Sequence, residues 1–113
     1  MSTARAAVPS HLCDLSIVEM AKLLSARKLS PVDLIEAALE RIDAIDPKLH
    51  AFITVAPERA RQQAKLSEAR HMMGAALGTF DGIPFALKDN IETRDIRSTS
   101  HSKLLANNIP QED

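Results

Sequence analysis

Tryptophan and tyrosine are missing from the 113 residues, cysteine occurs once and glycine only three times. A lone Cys13 excludes an internal disulfide and fits a reducing, cytoplasmic setting. Three phenylalanines are the whole aromatic complement, and Lys and Arg are scattered along a chain of net charge −1. That composition offers neither a basic footprint nor stacking platforms, so no nucleic-acid partner is expected. No apolar run approaches the ~20 residues that span a bilayer, so no membrane segment is expected either. Glycine is too sparse for a phosphate-cradling loop. The histidines at 11, 50, 71 and 101 have no metal-ligand spacing with one another or with Cys13, and no metal or cofactor is expected.

Hydrophobic residues make up 45% of the chain, but 17 of them are alanines. The core they predict is aliphatic and thin, with helices packed closely through small side chains. Residues 1–13 read as a disordered start. Ser16 and Glu19 then form a capping-box pattern, and Ile17, Met20, Ala21 and Leu24 recur at helical spacing. A second helix opens at Ser30-Pro31, with serine suited to the N-cap and proline to the first turn. Asp33 favours the positive end of its dipole. Ile35, Ala38, Leu39 and Ile42 line one face, and Asp46-Pro47 is expected to end it.

Residues 49–55 are β-rich and predict a strand. A third helix is expected from Pro57 to Met73, with a weak stripe of Ala60, Ala64 and Leu66, and with Met72-Met73 closing it against the core. After a loop over 74–82, residues 83–87 read as a buried strand with Pro84 near its start. A short helix is expected over 102–106. Two strands do not make a self-sufficient sheet. The chain therefore reads as interrupted, and its stop after Pro110-Gln111-Glu112-Asp113 falls where a helix would open.

Lys88 is the candidate catalytic residue. It follows an apolar run and precedes Asp89-Asn90, where a strand would deliver a side chain into a cleft. A lysine base must be neutral, and a free lysine titrating near ~10.4 is neutral in only about one molecule in a few thousand at pH 7. Burial or a neighbouring cation would have to lower that value. From the pattern alone, Lys88 reads more simply as a strand-end lysine paired with an acid such as Asp89. Ser100-His101-Ser102-Lys103 matches the Ser-x-x-Lys pattern of penicillin-recognising enzymes, but so does Ser25-Ala26-Arg27-Lys28, and no companion motif accompanies either. The hydroxyls of Ser98, Thr99, Ser100 and Ser102 read as a turn-capping loop.

The run Gly82-Ile83-Pro84-Phe85-Ala86-Leu87-Lys88-Asp89-Asn90-Ile91 resembles the opening motif of the amidase signature family. Thr93 through Lys103 parallels that family's hydroxyl-rich stretch, and Pro47-Lys48-Leu49-His50-Ala51-Phe52 its lead-in. The resemblance implies an α/β fold, an α/β/α sandwich around a mixed sheet. Residues 14–113 would form an incomplete N-terminal portion of it, mostly helical. It implies hydrolysis of a carboxamide C–N bond in a small-molecule amide by a lysine, a bridging serine on a cis peptide bond and a nucleophilic serine. Lys88 falls on the lysine position, and no later serine-rich segment follows. The chain alone is therefore expected to be inactive, since a base without nucleophile or oxyanion donors cannot run acyl transfer. A C-terminal complement or a full-length relative is the partner this implies.

Within the family, one of the transamidating proteins that serve a tRNA-dependent amidotransferase complex is an alternative. A small helical binding module and a non-functional truncation product are alternatives outside that chemistry. Three positions depart from the family pattern: Asp81 for histidine, Asp95 for glycine and His101 for a small residue. Aspartate tolerates left-handed backbone better than most residues, so the turn at Asp95 is expected to survive. His101 adds bulk close to where the site is expected.

Overall fold

Local signals at the helix starts organise the chain, and the computed structural model describes residues 11–113. The expected disordered start lies, as far as residue 10, outside the described residues, and Leu12–Asp14 form a 3-10 turn. Helix α1, Ile17–Ser25, opens on the full capping box: Ser16 Oγ accepts from the Glu19 amide, and Glu19 accepts from the Ser16 amide. Helix α2, Pro31–Leu49, is N-capped by Ser30, whose Oγ accepts from the Val32 amide at 3.0 Å and donates to Glu68 on the next helix. Helix α3, Pro57–Met72, starts on its own proline and ends in a Schellman turn. There Gly74 takes a positive φ and the Ala75 amide reaches back to Arg70 O at 2.8 Å.

The core sits where α1 meets the start of α2. Leu15, Leu24, Leu29 and Leu34 form it, with Leu12, Met20, Leu23 and Ile83 packed against it. Further along, α2 and α3 pack side by side, burying Leu39 and Ala64. The Glu36 carboxylate accepts two 2.9 Å bonds from Arg61 across this pair. The inward face of α3 is Ala64 and Ser67, one turn apart, while Leu66 points outward. Met72 and Met73 are also exposed, so they do not close the helix against the core as expected. Small inward residues let α3 approach α2 closely but supply little apolar area.

Three expectations fail for identifiable reasons. Helix α2 does not stop at Asp46-Pro47; it carries Pro47 in its last turn and runs to Leu49. His50 caps it in the left-handed region, its amide donating to Asp46 O at 2.7 Å, and Asp46 Oδ1 accepts from the amides of Ala51 and Phe52. Asp46 thus satisfies the groups that a broken helix would orphan. The strands expected over 49–55 and 83–87 do not form: among the described residues there is no strand, only an isolated bridge between Thr93 and Ile96. A strand exists by pairing with a neighbour, and neither segment meets one here. The expected mostly helical character holds, whereas the described residues contain no mixed sheet. The radius of gyration is 15.6 Å, against about 13 Å for a compact domain of this length, as befits segments that lie open.

Candidate active site

An open groove of about 470 Å³ runs between α2, α3 and the two segments 51–56 and 82–89. Ile35, Leu39 and Ile42 form one wall, and the 82–91 segment that carries Lys88 forms another. Gly82 turns the chain into it. Its φ is +100°, and a β-carbon there would stand 2.8 Å from Pro31 Cγ and 3.0 Å from Ser67 Oγ, so only glycine fits. Ile83 then drops towards the Leu24–Leu34 core, which anchors the start of the segment. Beyond it the chain emerges: Phe85 is 79% exposed, and Leu87 is also exposed.

Lys88 lies on this rim. It is exposed, lines the groove and makes no ion pair among the described residues. The pairing with Asp89 expected from pattern alone does not occur, because Asp89 is engaged elsewhere. Its carboxylate accepts from the Thr99 amide at 2.9 Å, from the Thr99 hydroxyl and from the His101 amide at 3.3 Å. Its carbonyl accepts from the Ser100 amide at 3.1 Å. The Thr99 side chain, then its amide, hold the Asp89 carboxyl below the usual carboxylate range, and the nearby Arg97 charge adds to this.

Asp89 therefore clamps the hydroxyl-rich loop beside Lys88. Ser98 and Thr99 are buried in it. Ser98 Oγ donates to Ile96 O and accepts from the Thr93 amide, and Asn108 Nδ2 donates to Ser98 O. Ser102 caps the 3-10 turn Lys103–Leu105, where the sequence predicts a short helix. Ser100 and His101 both have positive φ in the turn that wraps the carboxylate. Asp95 occupies the left-handed region at φ 63°, as aspartate in place of glycine allows. The hydroxyls serve the loop, as their sequence suggests. The structure brings Lys88 and Ser98 to the same groove, but Ser98 is committed to backbone partners.

Two organising residues escape a reading of the sequence. Asp81, which stands out there only as a departure from histidine, is the hub between α3 and this segment. Its side chain is 5% exposed and takes a two-pronged salt bridge from Arg70, at 2.8 and 2.6 Å. Ser67 Oγ donates to it at 2.7 Å and the Leu77 amide at 3.0 Å. Arg70 chiefly, with the Leu77 and Ser67 donors, holds this carboxyl well below the usual range despite its burial. Arg97 is the second. It donates to Thr54 Oγ1, Ile53 O and Ala106 O, tying the 53–54 segment to the C-terminal loops. Neither partnership has a fixed sequence spacing that could reveal it.

The amidase family profile matches residues 33–113, which include the whole 82–91 segment. Three curated relatives are all the first, or "A", component of a glutamyl-tRNA(Gln) amidotransferase. To that of Geobacter metallireducens the chain is 43% identical over 103 residues, covering 91% of this chain and 21% of that one. To that of Nostoc punctiforme it is 41% identical over 95 residues, covering 84% and 20%. To that of Dehalococcoides mccartyi it is 42% identical over 101 residues, covering 89% and 21%. The chain thus spans about a fifth of the length of the curated relatives it matches. No solved structure matches it at a significant level. With the lysine-bearing segment, its glycine pivot and the clamped hydroxyl loop all inside the matched region, this chain belongs to the amidase family.

Proposed function

We propose that this chain supplies the lysine base of an amide-cleaving site whose serines and oxyanion donors come from the rest of an amidase domain. The carrying observation is the placement of Lys88 on the groove rim, without an ion-pair partner among the described residues and beside the loop that Asp89 clamps. A neutral Nζ there takes the proton that a nucleophilic serine releases through a bridging serine. It returns that proton to the leaving nitrogen as the C–N bond breaks. Residues supplied around the groove would exclude water from Lys88, which the reaction requires. By itself the chain is inactive. A cytoplasmic setting accords with its single cysteine.

The names of the relatives favour an amidotransferase component over a free-standing hydrolase, with the amide nitrogen passed to a second acceptor. The test is complementation. The chain is co-expressed with the part of the Geobacter relative that follows the aligned region, and ammonia release from primary carboxamides is measured. Activity should appear, and Lys88→Met should lower it by about 10³-fold while the complex still assembles. Equal activity in the Lys88→Met complex would remove the lysine from the chemistry.

A further inference from the structure

The groove beside Lys88 is bordered by backbone with nothing to bond. From Pro84 to Leu87 no backbone group donates or accepts a hydrogen bond among the described residues. Across the groove, the backbone N–H and C=O groups of Thr54 and Val55 are likewise unpaired among them. These two stretches carry exposed Phe52, Ile53, Val55, Phe85 and Leu87. An extended segment with free ladder groups and alternating apolar side chains is a template for strand addition.

The charge of the groove narrows what fits. Arg59, Arg70, Lys88 and Arg97 line it against one acid, Asp89. Arg70 is neutralised by Asp81. Arg59 and Arg97 donate only to uncharged oxygens, Arg59 to Arg94 O and Arg97 to Thr54 Oγ1 and two carbonyls. Neither guanidinium has a carboxylate within ion-pair distance among the described residues. Half-buried cations held by neutral acceptors favour an incoming carboxylate, whose charge-assisted bonds are stronger than those they make now.

We propose that this groove docks an extended segment of a partner chain with alternating apolar residues and a central carboxylate. The backbone of that segment pairs with 84–87, its apolar side chains cover Phe85 and Leu87, and its carboxylate meets Arg59 and Arg97. The docking does not depend on Lys88 acting as a base, so it stands or falls separately from the amide chemistry.

The probe is a labelled seven-residue peptide alternating valine and threonine around a central glutamate, titrated onto the whole chain by fluorescence anisotropy. Amide exchange is followed in the same samples. Saturable binding is expected, with slowed exchange at Phe85–Leu87. Replacing the central glutamate by glutamine should weaken binding ~10-fold, as should Arg59→Gln in the chain. Phe85→Asp, at an exposed position that the fold does not use, should abolish binding and leave the helical circular dichroism intact. A lysine-centred peptide that binds as tightly would overturn the proposal. So would binding that leaves Phe85–Leu87 unprotected, or no binding at all. Protection of those amides in the free chain that rises with protein concentration would also overturn it, by placing a second copy in the groove.

Discussion

Between Ile17 and Met72, three helices close their ends with their own neighbours, whereas from Gly74 to Asp113 the chain is held by side chains reaching across loops. The first region uses Ser16, Ser30 and Asp46 as local caps and buries Leu24 and Leu34. The second relies on Asp81, Asp89 and Arg97, each of which gathers three or more donors or acceptors from distant residues. It leaves Phe85 and Leu87 in solvent. A region that buries its apolar residues can be stable by itself. A region that orders its polar groups while exposing its apolar ones is shaped for something that will cover it.

The contrast is sharpest in core substitutions. Leu34→Ala removes a side chain only 2% exposed and should cost about 3–4 kcal/mol, enough to unfold a marginal domain. Leu104→Ala, at a site 96% exposed, should change stability by less than about 0.5 kcal/mol. Urea titration followed at 222 nm reads both, and comparable losses would erase the distinction between regions.

Next in size is Asp81→Ala, which strands the half-buried Arg70 and should cost about 3 kcal/mol. This carboxyl also sets an acid dependence. Its native value lies below the ~3.9 of a free aspartate. The stability it contributes is therefore complete above that unfolded value and is lost as pH falls through the native one. Stability measured from pH 6 down to pH 2.5 should decline below about pH 4.5, less steeply in Asp81→Asn. Identical slopes would deny Asp81 its role as the hub.

Gly82→Ala should cost about 2 kcal/mol, from the positive φ and the crowding against Pro31. It should also displace the 83–88 segment, seen as shifted amide resonances there and unchanged ones in α3. The smallest effect belongs to Ser16→Ala, which removes one half of a capping box and should cost ~1 kcal/mol, confined to α1. An effect of Ser16→Ala as large as that of Asp81→Ala would contradict the view that long-range polar hubs hold the second region.

What can be read from the sequence follows the same division. The capping box at Ser16, the Ser30-Pro31 opening and the turn hydroxyls at Ser98 and Ser102 act within a few residues, so their patterns are visible in the chain. The end of α2 is misjudged from sequence because Pro47 is tolerated when Asp46 and His50 satisfy the last turn. Segments 49–55 and 83–87 have the composition of strands, and composition cannot supply the neighbour that a strand requires. Within the site, the Gly82–Ile91 motif stands out, and Lys88 sits at the groove it suggests. The clamp from Asp89 to Thr99 and the Arg70–Asp81 bridge span ten and eleven positions, a spacing set by tertiary packing rather than by any periodicity.

The most direct test is amide hydrogen exchange of the isolated chain, resolved by residue. The central claim is that a folded helical unit presents the Lys88 segment open for pairing. It predicts amides of α2 and α3 protected well above free-peptide rates, with those of Phe85, Ala86 and Leu87 exchanging close to such rates. Equal protection across both regions would mean that the segment is already paired, and no protection in the helices would mean that nothing folded is there to present it.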